Sequence, residues 1–246
     1  MRVALYVTCL VDQVWPRVGL AAALLLRRAG CEVAFDRAQT CCGQPACNSG
    51  FPQHAHALAR NVITLCERAR ADALVLPSGS CAAQIRHYPQ LFADDAGWRD
   101  RAAAVAARTF ELGQFLCRLG VDAVPGRYDG TVGWHDACHG LRDLGIRDEP
   151  RRLLRLVPGL TLRELPLADA CCGFGGTFAV KYPEISVAIA DRKLEAIAHS
   201  GVGAIASGDV SCLLHLRGRL QRSGAAVQAL HLAELLCAGA LPAEAP

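Results

Sequence analysis

Two sets of four cysteines recur along this chain at matching intervals. Thirty-one residues separate Cys9 from the vicinal pair Cys41-Cys42, which is followed by Gly43, and 38 residues separate Cys42 from Cys81. Thirty-two residues separate Cys138 from Cys171-Cys172, which is followed by Gly173, and 39 residues separate Cys172 from Cys212. Each interval agrees to within one residue, which marks one structural unit duplicated with thiolates at corresponding places. Four thiolates twice over point to metal ligation. Structural zinc sites commonly use short Cys-x-x-Cys knuckles, and neither set contains one. Vicinal cysteines start on opposite sides of the backbone, which is awkward for one tetrahedral ion. An iron–sulfur cluster spreads its irons widely enough for neighbouring thiolates to reach different ones. Gly43 and Gly173 would let the chain turn tightly there and bring backbone amides near the sulfurs. The reading is iron–sulfur ligation, with zinc and cluster-free thiol chemistry as the alternatives.

These cysteines need elements to position them, and short apolar strands alternating with helical stretches supply a parallel α/β frame. In the first half the pattern predicts strands at Val3–Val7, Cys31–Phe35 and Leu74–Leu76. Helices are expected at Val18–Arg28 and His56–Arg70, from Cys81 onward, and as one long helix over Arg101–Leu119. The second half replays the order, with strands at Thr131–Trp134, Leu160–Leu165, Ala204–Ala206 and Val227–Leu230. Its helices are expected at Glu149–Leu156, Ile185–Ser200, Cys212–Arg222 and Leu232–Ala238. The cysteines then fall at strand ends and in loops on the carboxyl edge, where open α/β sheets bind ligands. The expected fold is two pseudo-symmetric α/β repeats, each a short, mainly parallel sheet with flanking helices and a Cys-Cys-Gly loop. The first repeat is assigned to residues 1–120, a linker broken by Pro125, Gly126 and Gly130 to 121–130, and the second repeat to 131–246. The first half carries roughly ten extra residues, placed in the polar stretch Pro89–Asp100.

The 246-residue chain can bury a sizeable core, so the cysteines are not needed as staples for an undersized fold. It is 52% hydrophobic, 20% charged and 6% aromatic, with a net charge of +3, an ordinary globular balance without the basic bias of a nucleic-acid binder. No apolar run approaches the length of a membrane span, and the N-terminus reads as a strand rather than a signal peptide. A cytoplasmic location is expected. There the 13 cysteines stay reduced and free for metal or redox chemistry.

The paired Cys-Cys-Gly turns resemble the cysteine-rich domain that occurs twice in one component of heterodisulfide reductase. The same domain recurs in iron–sulfur subunits of glycolate oxidase and anaerobic glycerol-3-phosphate dehydrogenase. That family's motif ends in Cys-x-x-Cys. Here its first cysteine is replaced by Ser78 in Ser78-Gly-Ser-Cys81 and by Asp209 in Asp209-Val-Ser-Cys212. With four of five cysteines left, the resemblance implies an ordinary 4Fe–4S cluster in each half, with Ser78 and Asp209 as candidate oxygen ligands. Over nearly the whole chain the sequence is similar to the lactate utilization protein A family. The matching stretches are Val7–Cys9, Cys41–Pro45, Asn48–Gly50, Ser78–Cys81, Cys171–Phe178, Lys181, Glu184–Ser186 and Asp209–Leu214. This resemblance implies a subunit that oxidises L-lactate to pyruvate together with a ferredoxin-type iron–sulfur protein and a third lactate-utilization subunit. Glycolate oxidation, heterodisulfide-type thiol chemistry and a zinc-binding docking module are the rival functions.

The metal-ligand set is therefore Cys9, Cys41, Cys42 and Cys81 in one half and Cys138, Cys171, Cys172 and Cys212 in the other. Cys31, Cys66, Cys117 and Cys237 lie in apolar settings and read as core residues; Cys47 has no counterpart in the second half and is left out. His135 and His139 flank Cys138 and His215 follows Cys212, either as hydrogen-bonded loop residues or as proton carriers beside the second site. Lys181 could pair with a substrate carboxylate. Gly201–Ala206 lacks the third glycine of a dinucleotide fingerprint, so no nicotinamide or flavin site is read there. No catalytic group is assigned.

Overall fold

A computed structural model describes residues 1–241. The first half comprises β1 (Arg2–Leu5), α1 (Cys9–Val14), α2 (Pro16–Arg28), β2 (Glu32–Ala34), α3 (Gln44–Asn48) and α4 (Pro52–Ala69). It continues with β3 (Ala73–Leu76), α5 (Gly79–Arg86), α6 (Tyr88–Leu91), α7 (Ala96–Ala106), β4 (Thr109–Glu111) and α8 (Leu112–Arg118). The second half comprises β5 (Gly130–Trp134), α9 (Cys138–Arg142), α10 (Asp148–Leu154), β6 (Leu160–Arg163) and α11 (Phe178–Lys181). It ends with α12 (Pro183–Ala198), β7 (Ala204–Ser207), α13 (Val210–Ser223), β8 (Gln228–His231) and α14 (Leu232–Leu236).

Each half builds a four-stranded, wholly parallel sheet, in the orders β2-β1-β3-β4 and β6-β5-β7-β8. The central strands read as unbroken apolar runs because both faces are covered: all four residues of β3 and of β7 are buried. Val3 of β1 is in register with Val33 on one side and Ala73 on the other. Gly133 of β5 lies between Arg163 and Ile205 in the same way. The chain order reverses between β1 and β3, and between β5 and β7. At such a switch point the flanking loops diverge and leave a crevice at the carboxyl ends of the strands.

The expected helix over Arg101–Leu119 is two helices with a strand between them. Thr109–Glu111 adds to the sheet edge, with Val75 opposite Phe110. The stretch has the apolar spacing of a helix, but exposed β3 edge groups compete for its backbone and win locally. The extra residues of the first half form α6 and α7, where the second half runs directly from α13 to β8.

The halves share one core. Its central cluster combines Val3, Val75, Leu112 and Leu116 with Val132, Trp134, Leu153, Leu232 and Leu236. Helices α2 and α14 pack together there, as do α8 and α10. Two further clusters are centred on the outer faces, one around Ile63, Leu76 and Ile85 and the other around Ile205, Leu213 and Leu216. No helix among the described residues is long and apolar enough to cross a membrane.

Candidate metal centre

Both switch points open toward the same place. Cys9 begins α1 shortly after β1, and Cys81 lies in the first turn of α5 after β3. Cys138 begins α9 after β5, and Cys212 lies in the first turn of α13 after β7. The two Cys-Cys-Gly turns close over them from the loops that follow β2 and β6. All eight repeated cysteines line a single cavity of about 370 Å³. Ser49 of one half meets Thr177 of the other at its rim, hydroxyl to hydroxyl at 2.9 Å.

The two turns are built alike. Gly43 and Gly173 take φ of +86° and +92°, a left-handed conformation that side chains resist. This conformation aims the Gly43 amide at Cys41 Sγ (3.4 Å) and the Gly173 amide at Cys171 Sγ (3.3 Å). Within each pair the first cysteine is the more accessible and the second is buried, as alternation along the backbone requires. The buried Tyr88 hydroxyl donates to the Cys42 carbonyl at 2.7 Å, and the buried Ser186 hydroxyl donates to the Gly173 carbonyl at 2.7 Å. Cys172 and Cys212 have their sulfurs 3.0 Å apart. None of the 13 cysteines is in a disulfide.

Crowding spreads the thiol acidities. Hydrogen bonds from the Cys42 and Cys9 thiols pull Cys41 far below the ordinary thiol value. Cys9 is pushed up by its bond to Cys41 and then by burial, and Cys138 is raised by burial and by Cys171 beside it. A soft cation would remove this conflict by stabilising every thiolate at once. Eight thiols in two equivalent sets, amide donors already aimed at sulfur, and room between the sets fit iron–sulfur ligation.

Ser78 and Asp209 sit in corresponding positions and meet each other. Each is an N-cap: Ser78 Oγ accepts the Cys81 amide at 3.3 Å, and Asp209 Oδ1 accepts the Ser211 amide at 3.2 Å. The other oxygen, Asp209 Oδ2, crosses to the first half and accepts the Ser80 amide at 2.8 Å and the Ser78 hydroxyl at 3.4 Å. Both residues are buried.

The histidines divide by environment. His139 lines the cavity with Nδ1 on Asp143. His215 contacts the Ser186 hydroxyl at 3.2 Å. His135 is wholly buried just past β5, and burial followed by the Lys193 charge depresses its pKa to about 3. Lys181 is exposed on α11 and is absent from the cavity wall. Cys47 also stands outside that wall, while Cys31, Cys66 and Cys237 are in the core.

One residue here escapes a reading based on motifs. Lys193 is 1% exposed, and its ammonium donates to the carbonyls of Leu167 (2.5 Å), Ala168 (3.1 Å) and Ala170 (2.9 Å). It therefore ties down the loop that delivers Cys171 and Cys172, and it places a cation near both Cys172 and Cys212. The available signal was a lysine on the inward stripe Ser186, Ala190, Lys193, Ile197 of α12.

Residues 3–86 and 132–217 each match the family described as Cysteine-rich domain, CCG. Across its length the chain is 46% identical over 239 residues to lactate utilization protein A of Exiguobacterium sp., covering 97% of this chain and 98% of that one. It is 45% identical over 237 residues to the protein of the same name from Macrococcus caseolyticus, covering 96% of each. It is likewise 45% identical over 239 residues to the Geobacillus kaustophilus protein, covering 96% of this chain and 98% of that one.

Proposed function

We propose, from the premise that this chain belongs to the lactate utilization protein A family of CCG cysteine-rich proteins, that it is an iron–sulfur electron-transfer subunit in the oxidation of L-lactate to pyruvate. The carrying observation is the convergence of both cysteine sets on one cavity. Cys9, Cys41, Cys42 and Cys81 would hold one 4Fe–4S cluster, and Cys138, Cys171, Cys172 and Cys212 the other. Converting lactate to pyruvate releases two electrons and two protons, and two clusters supply two one-electron acceptors.

The chain's own residues set the conditions for that exchange. The Gly43 and Gly173 amides donate to sulfur and offset thiolate charge, which favours the reduced state. Asp209 clamps the two cysteine-bearing helix starts together, which keeps the distance between the sites constant. His139, on the cavity wall with Nδ1 on Asp143, is placed to carry a released proton. Electrons leave to a ferredoxin-type iron–sulfur partner, with a third subunit completing the complex, and the assembly is cytoplasmic.

Anaerobic purification with iron and sulfide analysis, followed by EPR of the dithionite-reduced chain, tests this reading. About eight irons per chain and paramagnetic reduced clusters are expected; lactate-dependent reduction with the reconstituted partners then tests the reaction. Zinc in place of iron, or no metal after reconstitution, would overturn it.

A further inference from the structure

The two halves differ at one buried position beside their cysteines. Tyr6 directly follows the first strand of one half and His135 the first strand of the other, each three residues ahead of the first repeated cysteine. Both side chains are buried, at 1% and 0% exposure. Tyr6 is satisfied, donating its hydroxyl to the Thr40 carbonyl at 2.5 Å. His135 is satisfied on one side only. Its Nδ1 lies 3.2 Å from the Ala168 carbonyl oxygen, a contact that is attractive when Nδ1 carries the proton. In that neutral tautomer Nε2 is a bare lone pair.

That lone pair has no hydrogen-bond partner, although the atom is shut off from solvent. Buried ring nitrogens are nearly always paired, so an orphan of this kind calls for an acceptor of its lone pair. The surroundings supply the place for one. A ring nitrogen of His135 and the sulfurs of Cys172 and Cys212 all lie within 4.8 Å of one another, all three residues buried. Nε2 is the nitrogen not spent on Ala168. A carbonyl that fixes Nδ1–H and leaves Nε2 for the metal is the usual arrangement behind a ligating imidazole.

We propose that His135 is a ligand of the second half's metal site, binding iron through Nε2 beside Cys172 and Cys212 and taking the place of one of the two thiolates outside that trio, Cys138 or Cys171, while the first half, with Tyr6 in the same place, is held by cysteine alone. The inference rests on the iron–sulfur reading above. It makes the two sites unequal by construction. Imidazole is a neutral donor where thiolate is anionic, and histidine ligation raises a cluster's reduction potential. The second site is then the more easily reduced of the two, and electrons pass from the first half toward the second.

The test uses the full chain, labelled with ¹⁵N-histidine, reconstituted anaerobically with iron and sulfide, reduced, and studied by pulsed EPR. The expected result is the strong ¹⁵N coupling of a directly bound imidazole, lost in His135→Gln and retained in His139→Gln and His215→Gln. A redox titration should show two waves that draw together in His135→Tyr, which copies the first half. Full iron and sulfide without bound-imidazole coupling, or coupling that survives His135→Gln, would overturn the inference and leave the cluster reading standing. Failure of the wild-type chain to take up iron and sulfide would remove the cluster reading and this inference with it. Because the labelled wild-type chain is decisive, poor folding of a variant does not protect the proposal.

Discussion

The Asp209 carboxylate in one half accepts the Ser80 amide in the other at 2.8 Å. This bond spans 129 residues of sequence and joins the first turns of the two helices that present Cys81 and Cys212. The same carboxylate caps α13 through Ser211. One side chain therefore orders a helix end and couples the halves. Asp209→Ala should remove the cap and leave a buried amide unpaired, at a cost of about 2–3 kcal/mol. The denaturant midpoint of the metal-free chain measures it, and an unchanged midpoint would show that the contact is not formed.

Iron content should follow the two cysteine sets separately. Cys81→Ser or Cys212→Ser is expected to cut iron from about eight to about four per chain and to abolish lactate-dependent electron transfer. Cys47→Ser should leave iron unchanged, since its side chain lies outside the cavity wall. Iron analysis after anaerobic reconstitution decides this; full loading of Cys212→Ser would remove that residue from the ligand set.

Lys193→Met keeps the length of the side chain and removes its ammonium. Three hydrogen bonds would be lost: the Ala170 carbonyl would lose the donor it has in Lys193, while those of Leu167 and Ala168 would keep the Ala170 and Asp136 amides. We expect a loss of about 3 kcal/mol, with faster hydrogen exchange over residues 165–173. Protection equal to wild type there would mean that the loop does not depend on the lysine.

The two glycine turns should differ in tolerance. A Cβ on Gly173 would collide with the Ser186 carbonyl oxygen, whereas one on Gly43 would meet the Ala55 carbonyl at 3.3 Å. Both positions have φ near +90°, so both alanine variants carry backbone strain of about 1 kcal/mol. Gly173→Ala should cost more stability and deplete iron from the second half more than Gly43→Ala does from the first. Parallel melting curves and iron analyses compare them directly.

Two corresponding buried groups should pull stability in opposite directions over nearly the same pH window. Glu111 and His231 cap α8 and α14, and each keeps one polar atom buried without a partner. Burial raises Glu111 from 4.5 to about 7, against the opposing Gln114 and Gly113 amides. The folded state therefore holds a proton that the unfolded state loses, and stability falls as pH rises from about 4.5 to 7, on the order of 3 kcal/mol. Burial lowers His231 from 6.5 to about 4. Here the unfolded state binds the proton first, so stability falls as pH drops through that window. The two contributions oppose one another between about pH 4.5 and 6.5, so denaturation of the metal-free chain across pH 4–8 should show stability rising more steeply with pH in Glu111→Gln than in the wild type over that window; an unaltered slope would overturn the assignment to Glu111.

The duplication, the alternation of strand and helix, and the two cysteine sets were legible because each is carried by local order: spacing, period and turn residues. The strand at Thr109–Glu111 was obscured by a helical apolar spacing, yet its counterpart at Val227–Leu230 was already visible in the second half. Phe110–Cys117 matches Leu230–Cys237 in its spacing of apolar residues, so the strand that ends at the start of the second stretch has its counterpart at the start of the first. Lys193 and His135 were harder to read, since a lysine on a helix stripe or a histidine after a strand acquires meaning only from what surrounds it.

By itself, the sequence determined that there are two equivalent α/β units and that each brings four thiols to a carboxyl edge. Parallel pairing and strand-to-helix turns leave little freedom within one unit. Only the tertiary structure decided that the two edges face one cavity, that Ser78 and Asp209 meet across it, and that His135 keeps Nε2 buried without a hydrogen-bond partner where the first half has Tyr6. Those relationships depend on how α2, α8, α10 and α14 pack into a shared core. That packing is set by side-chain volumes summed over both halves, which no local pattern records.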